Sequence, residues 1–285
     1  MNQYDDWIGN KDSTQDTIAV SSANSLAATL DRQQCTFLNG EALPPLWQWL
    51  YFLPTARQSL LSEDGHPRKG AFLPPIELPR RMWAGSRICF HQPLTIGSES
   101  RKTSAIKSIQ LKEGRSGKLA FVCVEHQIES ESGVAITEEQ DIVYKANPSV
   151  KAPSSPKIMA PTSQDYSMTV KPDPVLLFRY SALTFNSHRI HYDRDYTTAV
   201  EGYPGLVVHG PLLATFLMEL VTTQYPNRTV RDFEFKAISP LFDDGVFKVC
   251  GLAPDDNGHS ELWIGNERGE LCVKGAVTFF EDGAD

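Results

Sequence analysis

Along residues 210–224, GPLLATFLMELVTTQ, the apolar positions Leu212, Leu213, Phe216, Leu217, Leu220 and Val221 recur at i, i+1, i+4, i+5, i+8 and i+9. That period predicts a helix whose apolar face is broad enough to be wrapped on several sides, with Pro211 suited to its first turn. Two further stretches read as helices: SSANSLAATLD (21–31), with a serine near its cap, and the shorter, more aromatic PPLWQWLYFL (44–53). Elsewhere the pattern shifts to short runs rich in Val, Ile, Phe and Thr, as in LAFVCVEHQI (119–128), DIVYKA (141–146), FKVCGLAP (247–254) and CVKGAVTFF (272–280). These predict antiparallel strands joined by hairpins, with turns at GRSG (114–117) and PDDNGH (254–259).

Between the two halves, residues 146–174 contain six prolines, several serines and almost no apolar periodicity, which predicts a linker. The expected organisation is a first unit at 1–150, a linker at 151–172 and a second unit at 173–285. The halves also repeat each other weakly: Phe90, Pro93-Leu94 and Gly97 precede strand-like runs in the first, and Phe235, Pro240-Leu241 and Gly245 do so in the second. The two Pro-Leu steps lie about half a chain apart, as a duplication would place them. The predicted class is α+β: two copies of a buried helix embraced by a curved antiparallel sheet.

Composition narrows the function. With 285 residues and 41% hydrophobic positions the chain can build a sizeable core. Its net charge of −8 argues against a nucleic-acid binder that needs a broad basic surface, though clustered arginines can still hold an anionic ligand. Five cysteines occur without a CxxC pair or metal-ligand spacing, which reads as buried, reduced thiols and no metal site. No run of 18 apolar residues and no basic, apolar leader is present, so the expectation is a cytoplasmic protein without a membrane partner. No phosphate-cradling glycine loop or ligand cluster stands out, so no cofactor is expected.

Chemistry concentrates in residues 181–217, where Asn186, His188 and His191 precede the Gly210-Pro211 step. Asn and His side chains can hold a water and trade protons, and the unpaired N–H groups at a helix start can receive charge developing on a carbonyl oxygen. That combination fits a thioester site. His191 is the first candidate for proton transfer, because an imidazole takes and returns a proton near neutrality. The candidate oxyanion donors are the Gly210 amide and those from Leu212 onward, since Pro211 has none to offer. His188 and Arg189 could supply positive charge for an acyl carboxylate or CoA phosphates, and Arg80, Arg81 and Trp83 form a second cluster that could bind a carboxylate bidentately.

These residues resemble those of the MaoC-like enoyl-thioester hydratases and dehydratases, whose motif runs Asp-x-Asn-Pro-x-His. Here the span reads Asn186-Ser187-His188-Arg189-Ile190-His191, which keeps the last histidine but replaces the acid by Asn186 and the asparagine by His188. VVHGPLLA (207–214) matches the family's helix start, and PPLWQWLYFLP, GAFLPPIELPRRMWAGSRICFHQPLTIG and EEQDIVYK resemble the mesaconyl-C4-CoA and itaconyl-CoA hydratase branch. The resemblance implies a double hot dog and reversible hydration of an enoyl-CoA to citramalyl-CoA without metal or cofactor. Catalytic residues would lie in the second half, with the first half shaping the acyl tunnel.

The missing acid leaves three readings open: His191 works alone through one water, a carboxylate such as Asp193 or Glu201 substitutes, or the site binds without turnover. Rival functions are a 3-hydroxyacyl-thioester dehydratase of fatty-acid synthesis, a non-catalytic acyl-CoA-binding module, and a thioesterase. A homodimer or higher homo-oligomer is a further expectation.

Overall fold

The computed structural model describes residues 3–33, 36–114, 117–146 and 157–281. Cys35, the centre of the turn at 114–117 and residues 151–156 of the predicted linker lie outside the described residues.

In the first half, strand β1 (Lys11–Thr17) leads to helix α1 (Val20–Thr29), then strands β2 (Arg80–Phe90), β3 (Glu99–Gly114), β4 (Gly117–Ser130) and β5 (Gly133–Lys145). The second half has strand β6 (Tyr166–Val170), helices α2 (Pro174–Leu183), α3 (Arg194–Ala199) and α4 (Gly210–Gln224), and strands β7 (Val230–Ala237), β8 (Phe247–Gly251), β9 (His259–Asn266) and β10 (Leu271–Phe279). All ten strands form one sheet in the order β1-β3-β4-β5-β2-β7-β10-β9-β8-β6, with every pairing antiparallel. Each half contributes the same order, its first strand outermost and its second at the centre. The sheet is therefore two copies of one motif joined where β2 meets β7, as a duplicated hot dog requires.

That seam is tight. Gly85 pairs with Lys236 and Ile88 with Phe233, and a Cβ at Gly85 would overlap the Phe235 carbonyl, so glycine lets the two backbones close up.

Helix α4 is the one the sequence foretold most clearly. All ten residues from Leu212 to Val221 are buried, so the helix is wrapped rather than merely faced by sheet. Its side chains join those of β7, β8, β9 and β10 in one apolar core that includes Phe216, Leu217, Phe233, Phe247 and Ile264. Helix α2, which the sequence reading did not anticipate, begins at Pro174 with the Asp173 carboxylate capping it by accepting from Leu176 N at 2.8 Å.

The first half departs from the sequence reading. Residues 44–53 form only a 3-10 turn, Trp47–Leu50, because Leu46 and Phe52 on either side adopt left-handed backbone at φ 71° and 55°, which ends a helix in both directions. Helix α1 starts at Val20 with Ala19 at its cap and no side-chain cap bond, so the serine cap is not made; α1 packs on α2 of the other half. Two copies of a wrapped central helix were expected, and among the described residues only the second half has one. The inner face of the first sheet, through Lys102, Ser104, His126, Glu138 and Gln140, instead borders a large cavity.

At the linker's end, Tyr166–Val170 pair with β8 as the edge strand. At 254–259 the expected turn is present, the Asp255 carboxylate accepting from Asn257 N and His259 N at 2.9 and 3.0 Å. No described helix is long and apolar enough to cross a membrane.

Candidate active site

Two short loops of the second half bring His191 to Gly210. The first begins where α2 ends: Asn186 N donates to Ser181 O at 2.8 Å, and Phe185 turns the chain with a left-handed φ of 49°, an unfavourable conformation for an aromatic residue. The second, residues 205–209, is pinned from both sides. Val207 N donates to Ile190 O at 2.9 Å and Val208 N to Leu241 O at 2.8 Å, while Asp243 accepts from Leu206 N at 2.9 Å and pairs with Arg194 at 2.5 Å.

His191 is 7% exposed and donates from Nδ1 to Val207 O at 2.7 Å. A carbonyl only accepts, so this bond fixes the tautomer: Nδ1 carries the hydrogen and Nε2 keeps its lone pair. The ring stacks on His209 with centroids 3.7 Å apart. His209 is wholly buried and shares a 2.8 Å hydrogen bond between Nε2 and Ser181 Oγ. Burial pulls the His191 pKa down to about 4 against the upward pull of the Val207 carbonyl. His209, buried beside His191 and His188, lies well below the ordinary histidine range. Both rings are neutral at physiological pH.

Gly210 opens α4, where first-turn N–H groups have no intrahelical acceptor. A Cβ there would meet only the Trp83 carbonyl, at 3.7 Å, so packing does not demand glycine. Its open side faces the cavity, where close approach of a ligand to the amide is useful. His191 and Gly210 line the same cavity of about 1190 Å³, together with Asn186, His188, Arg80, Arg81 and Trp83. That volume exceeds the span typical of ligand pockets, ~300–1,000 Å³.

Other expected residues have different occupations. Asn186 Oδ1 accepts from His188 N at 3.0 Å, so its oxygen closes a local turn, leaving its NH₂ and one oxygen lone pair for a water. Arg189 is not a cavity residue: it pairs with Asp193 at 2.8 Å and lies 4.0 Å over the Tyr196 ring. Asp193 is also the α3 cap, accepting from Tyr196 N at 3.0 Å. Glu201, the other carboxylate considered as a substitute acid, pairs with Arg80 at 3.2 Å. Arg80 also stacks on Tyr203 at 5.2 Å. Trp83 is a cavity wall, donating to Gly85 O at 3.1 Å and Ser86 Oγ at 3.0 Å and meeting Trp49 edge-on at 5.0 Å.

Two residues that sequence reasoning missed reach this site from the first half. Asp64 and His66 sit on a loop clamped to the one that carries His188 and His191: Arg189 N donates to Asp64 O at 2.9 Å, and Ser187 Oγ donates to Gly65 O at 2.5 Å. Between them, Gly65 has φ 89°, and a Cβ there would overlap the Ser187 carbonyl. The Asp64 carboxylate holds His66 Nδ1 at 2.9 Å. The His66 ring lies 4.0 Å from that of His188, which meets His191 edge-on at 5.4 Å.

Asp64, His66 and His188 bring three ligand-type atoms within 4.8 Å of one another. Because Asp64 and His66 Nδ1 already satisfy each other, the arrangement fits a carboxylate–imidazole dyad. Burial lowers the His66 pKa and Asp64 only partly restores it. Burial pushes the Asp64 carboxyl up, but the His66 hydrogen bond and charge outweigh it and leave it below the usual range.

The profile of the hydroxyacyl-thioester dehydratase type 2 family matches residues 46–243. A mesaconyl-C4-CoA hydratase from Chloroflexus aurantiacus is 50% identical over 251 residues, 88% of this chain and 89% of that protein. Among solved structures, a MaoC-like dehydratase from Phytophthora capsici superposes with a TM-score of 0.69 at 16% identity, covering 96% of this chain and 97% of the other. A double-hot-dog protein from Mycobacterium tuberculosis does so at 0.60 and 13%, covering 96% of each.

Proposed function

This chain belongs to the hydroxyacyl-thioester dehydratase type 2 family, and from that premise we propose that it adds water reversibly to the double bond of an enoyl-CoA, with mesaconyl-C4-CoA the favoured substrate and citramalyl-CoA the product. Itaconyl-CoA is the related alternative. One observation carries the reading: His191, whose Nε2 keeps its lone pair, and Gly210, whose N–H lies in the first turn of α4, line one cavity.

Addition of water to a double bond conjugated to a thioester builds negative charge on the thioester oxygen while water loses a proton. The Gly210 N–H and the positive end of α4 receive the first. His191 Nε2 accepts a hydrogen bond from the water and points its oxygen at the β-carbon. The reaction calls on side chains and backbone alone, so the reading needs no cofactor.

The substrate preference rests on the curated relative and on charge. A mesaconyl-C4 acyl group carries a free carboxylate, and Arg81 is a cavity-lining guanidinium without a carboxylate at ion-pair distance among the described residues, whereas Arg80 is committed to Glu201. The family profile also supports a second reading, dehydration of straight-chain 3-hydroxyacyl thioesters.

Loss of enoyl-thioester absorbance with purified protein tests both. Mesaconyl-C4-CoA is expected to turn over and His191→Ala to lose at least about a thousandfold in kcat. Arg81→Ala is expected to lower kcat/KM at least tenfold more for mesaconyl-C4-CoA than for crotonyl-CoA, a carboxylate contact being worth roughly that factor. Equal losses would favour the straight-chain reading, and inertness toward every C4 to C16 enoyl-CoA would sink both.

A further inference from the structure

Hydration moves a proton twice, off water and onto the α-carbon, and the residues named so far offer that proton a poor resting place. Asn186 accepts none, and its oxygen is bound to His188 N. Asp193 and Glu201 are committed to Arg189 and Arg80. His191 is backed only by a neutral carbonyl and is hard to protonate.

Among the described residues, one imidazole lining the cavity is hydrogen-bonded to a carboxylate: His66, whose Nδ1 meets Asp64 at 2.9 Å. The dyad is built into place. Its loop is tied to the catalytic loop by Arg189 N to Asp64 O, Ser187 Oγ to Gly65 O and the Arg189 guanidinium to Glu63 O. The His66 ring packs on His188 at 4.0 Å, so its orientation is fixed on both sides.

We propose that His66, held and charge-balanced by Asp64, is the second catalytic residue of the hydration and stands in for the acid that position 186 lacks. The inference rests on the hydration reading and deepens it. Since Nδ1 is spent on Asp64, Nε2 is the reactive nitrogen.

Water's oxygen bonds to the β-carbon, the π pair shifts to the thioester oxygen as an enolate at Gly210 N–H, and the released proton passes to His66 Nε2, directly or across one water. Asp64 neutralises the resulting imidazolium. The enolate re-forms the thioester carbonyl as its α-carbon takes that proton back, leaving His66 neutral. His191 holds the other hydrogen of the attacking water throughout, so the two histidines divide orientation from transfer. His188, His191, Asp64, Arg81 and Lys69 are the charged or titratable groups around His66. Burial and the Arg81 cation oppose protonation of its ring, Asp64 favours it, and Lys69 acts on Asp64 and Arg81 rather than on the ring itself.

The test is steady-state kinetics on the full chain with mesaconyl-C4-CoA, run beside a thermal melt of each variant. Asp64→Asn and His66→Gln are expected to lower kcat by about a hundredfold or more with KM nearly unchanged. Removing the carboxylate also makes the His66 base weaker, so the acidic limb of the kcat/KM profile should move to lower pH in Asp64→Asn. Imidazole added to His66→Ala should restore part of the rate, an outcome that also decides the matter if Asp64→Asn does not fold.

Retention of kcat within threefold by His66→Gln, with His191→Ala inactive, would overturn the dyad and leave hydration standing. Loss of activity on dialysis against a chelator, regained with zinc alone, would overturn it too, since Asp64, His66 and His188 would then be serving a cation.

Discussion

Gly65 shows how narrowly the site is built at the scale of single residues. Its φ of 89° and its contact with the Ser187 carbonyl leave no room for a methyl group. Gly65→Ala is therefore expected to push the loops apart, destabilising the protein by about 2–3 kcal/mol in urea denaturation and cutting kcat at least tenfold. His191 and Gly210 were legible in the sequence because a histidine motif and a Gly-Pro helix start lie close together along the chain. Asp64 and His66 were not, since they stand more than a hundred residues upstream in a stretch without helical or strand periodicity. The available signal was Asp64-Gly65-His66-Pro67 itself, two titratable side chains on a glycine-proline turn. Arg189 misled for the converse reason: a cation beside a catalytic motif looks like a ligand contact until Asp193, four positions on, is seen to claim it.

At the scale of elements, α4 was readable to its ends because burial and period agree, yet its one acid hides a contact no pattern reveals. Glu219 is buried on the helix, where its carboxylate takes Arg32 at 2.5 Å and Trp47 Nε1 at 3.1 Å. Burial raises its pKa in spite of these partners. Arg32 lies 4.9 Å over the Trp47 ring, so the trio ties the wrapped helix to the 3-10 turn of the other half. Glu219→Ala would strand the guanidinium and the indole N–H together, and a loss of roughly 3 kcal/mol by urea denaturation is expected. An exposed helical acid would give a few tenths. The 44–53 segment was misjudged because an aromatic, apolar run satisfies a helical period as well as it fills a core. What decides between them is left-handed backbone at Leu46 and Phe52, which composition does not announce.

Over the whole molecule, one sheet spans both halves and a nest of imidazoles lies between them. His66, His188, His191 and His209 are all depressed below the ordinary histidine range, chiefly by burial. In the unfolded chain these rings regain a pKa near 6.5, so below that pH the unfolded state binds more protons than the native one and stability falls with acid. His191 alone, released from about 4, contributes on the order of 3 kcal/mol to that loss once pH has dropped through its folded value. Melting temperature is therefore expected to decline steeply from pH 6.5 toward 4, and replacing His209 by Gln should flatten the decline if the variant folds. A melting temperature constant over that interval would mean the rings are not neutral in the native state. The duplication was visible as paired Pro-Leu steps, whereas the loss of one central helix was not, since an absent element leaves no period to find.

That loss has an evolutionary reading. Two identical subunits related by a two-fold axis must carry every element in both copies, so neither can shed its helix without the other. Fusing the copies into a single polypeptide lifts that obligation. One copy keeps the helix that presents the amide, and the other is at liberty to trade its own for volume and to lend a loop to its sister's chemistry.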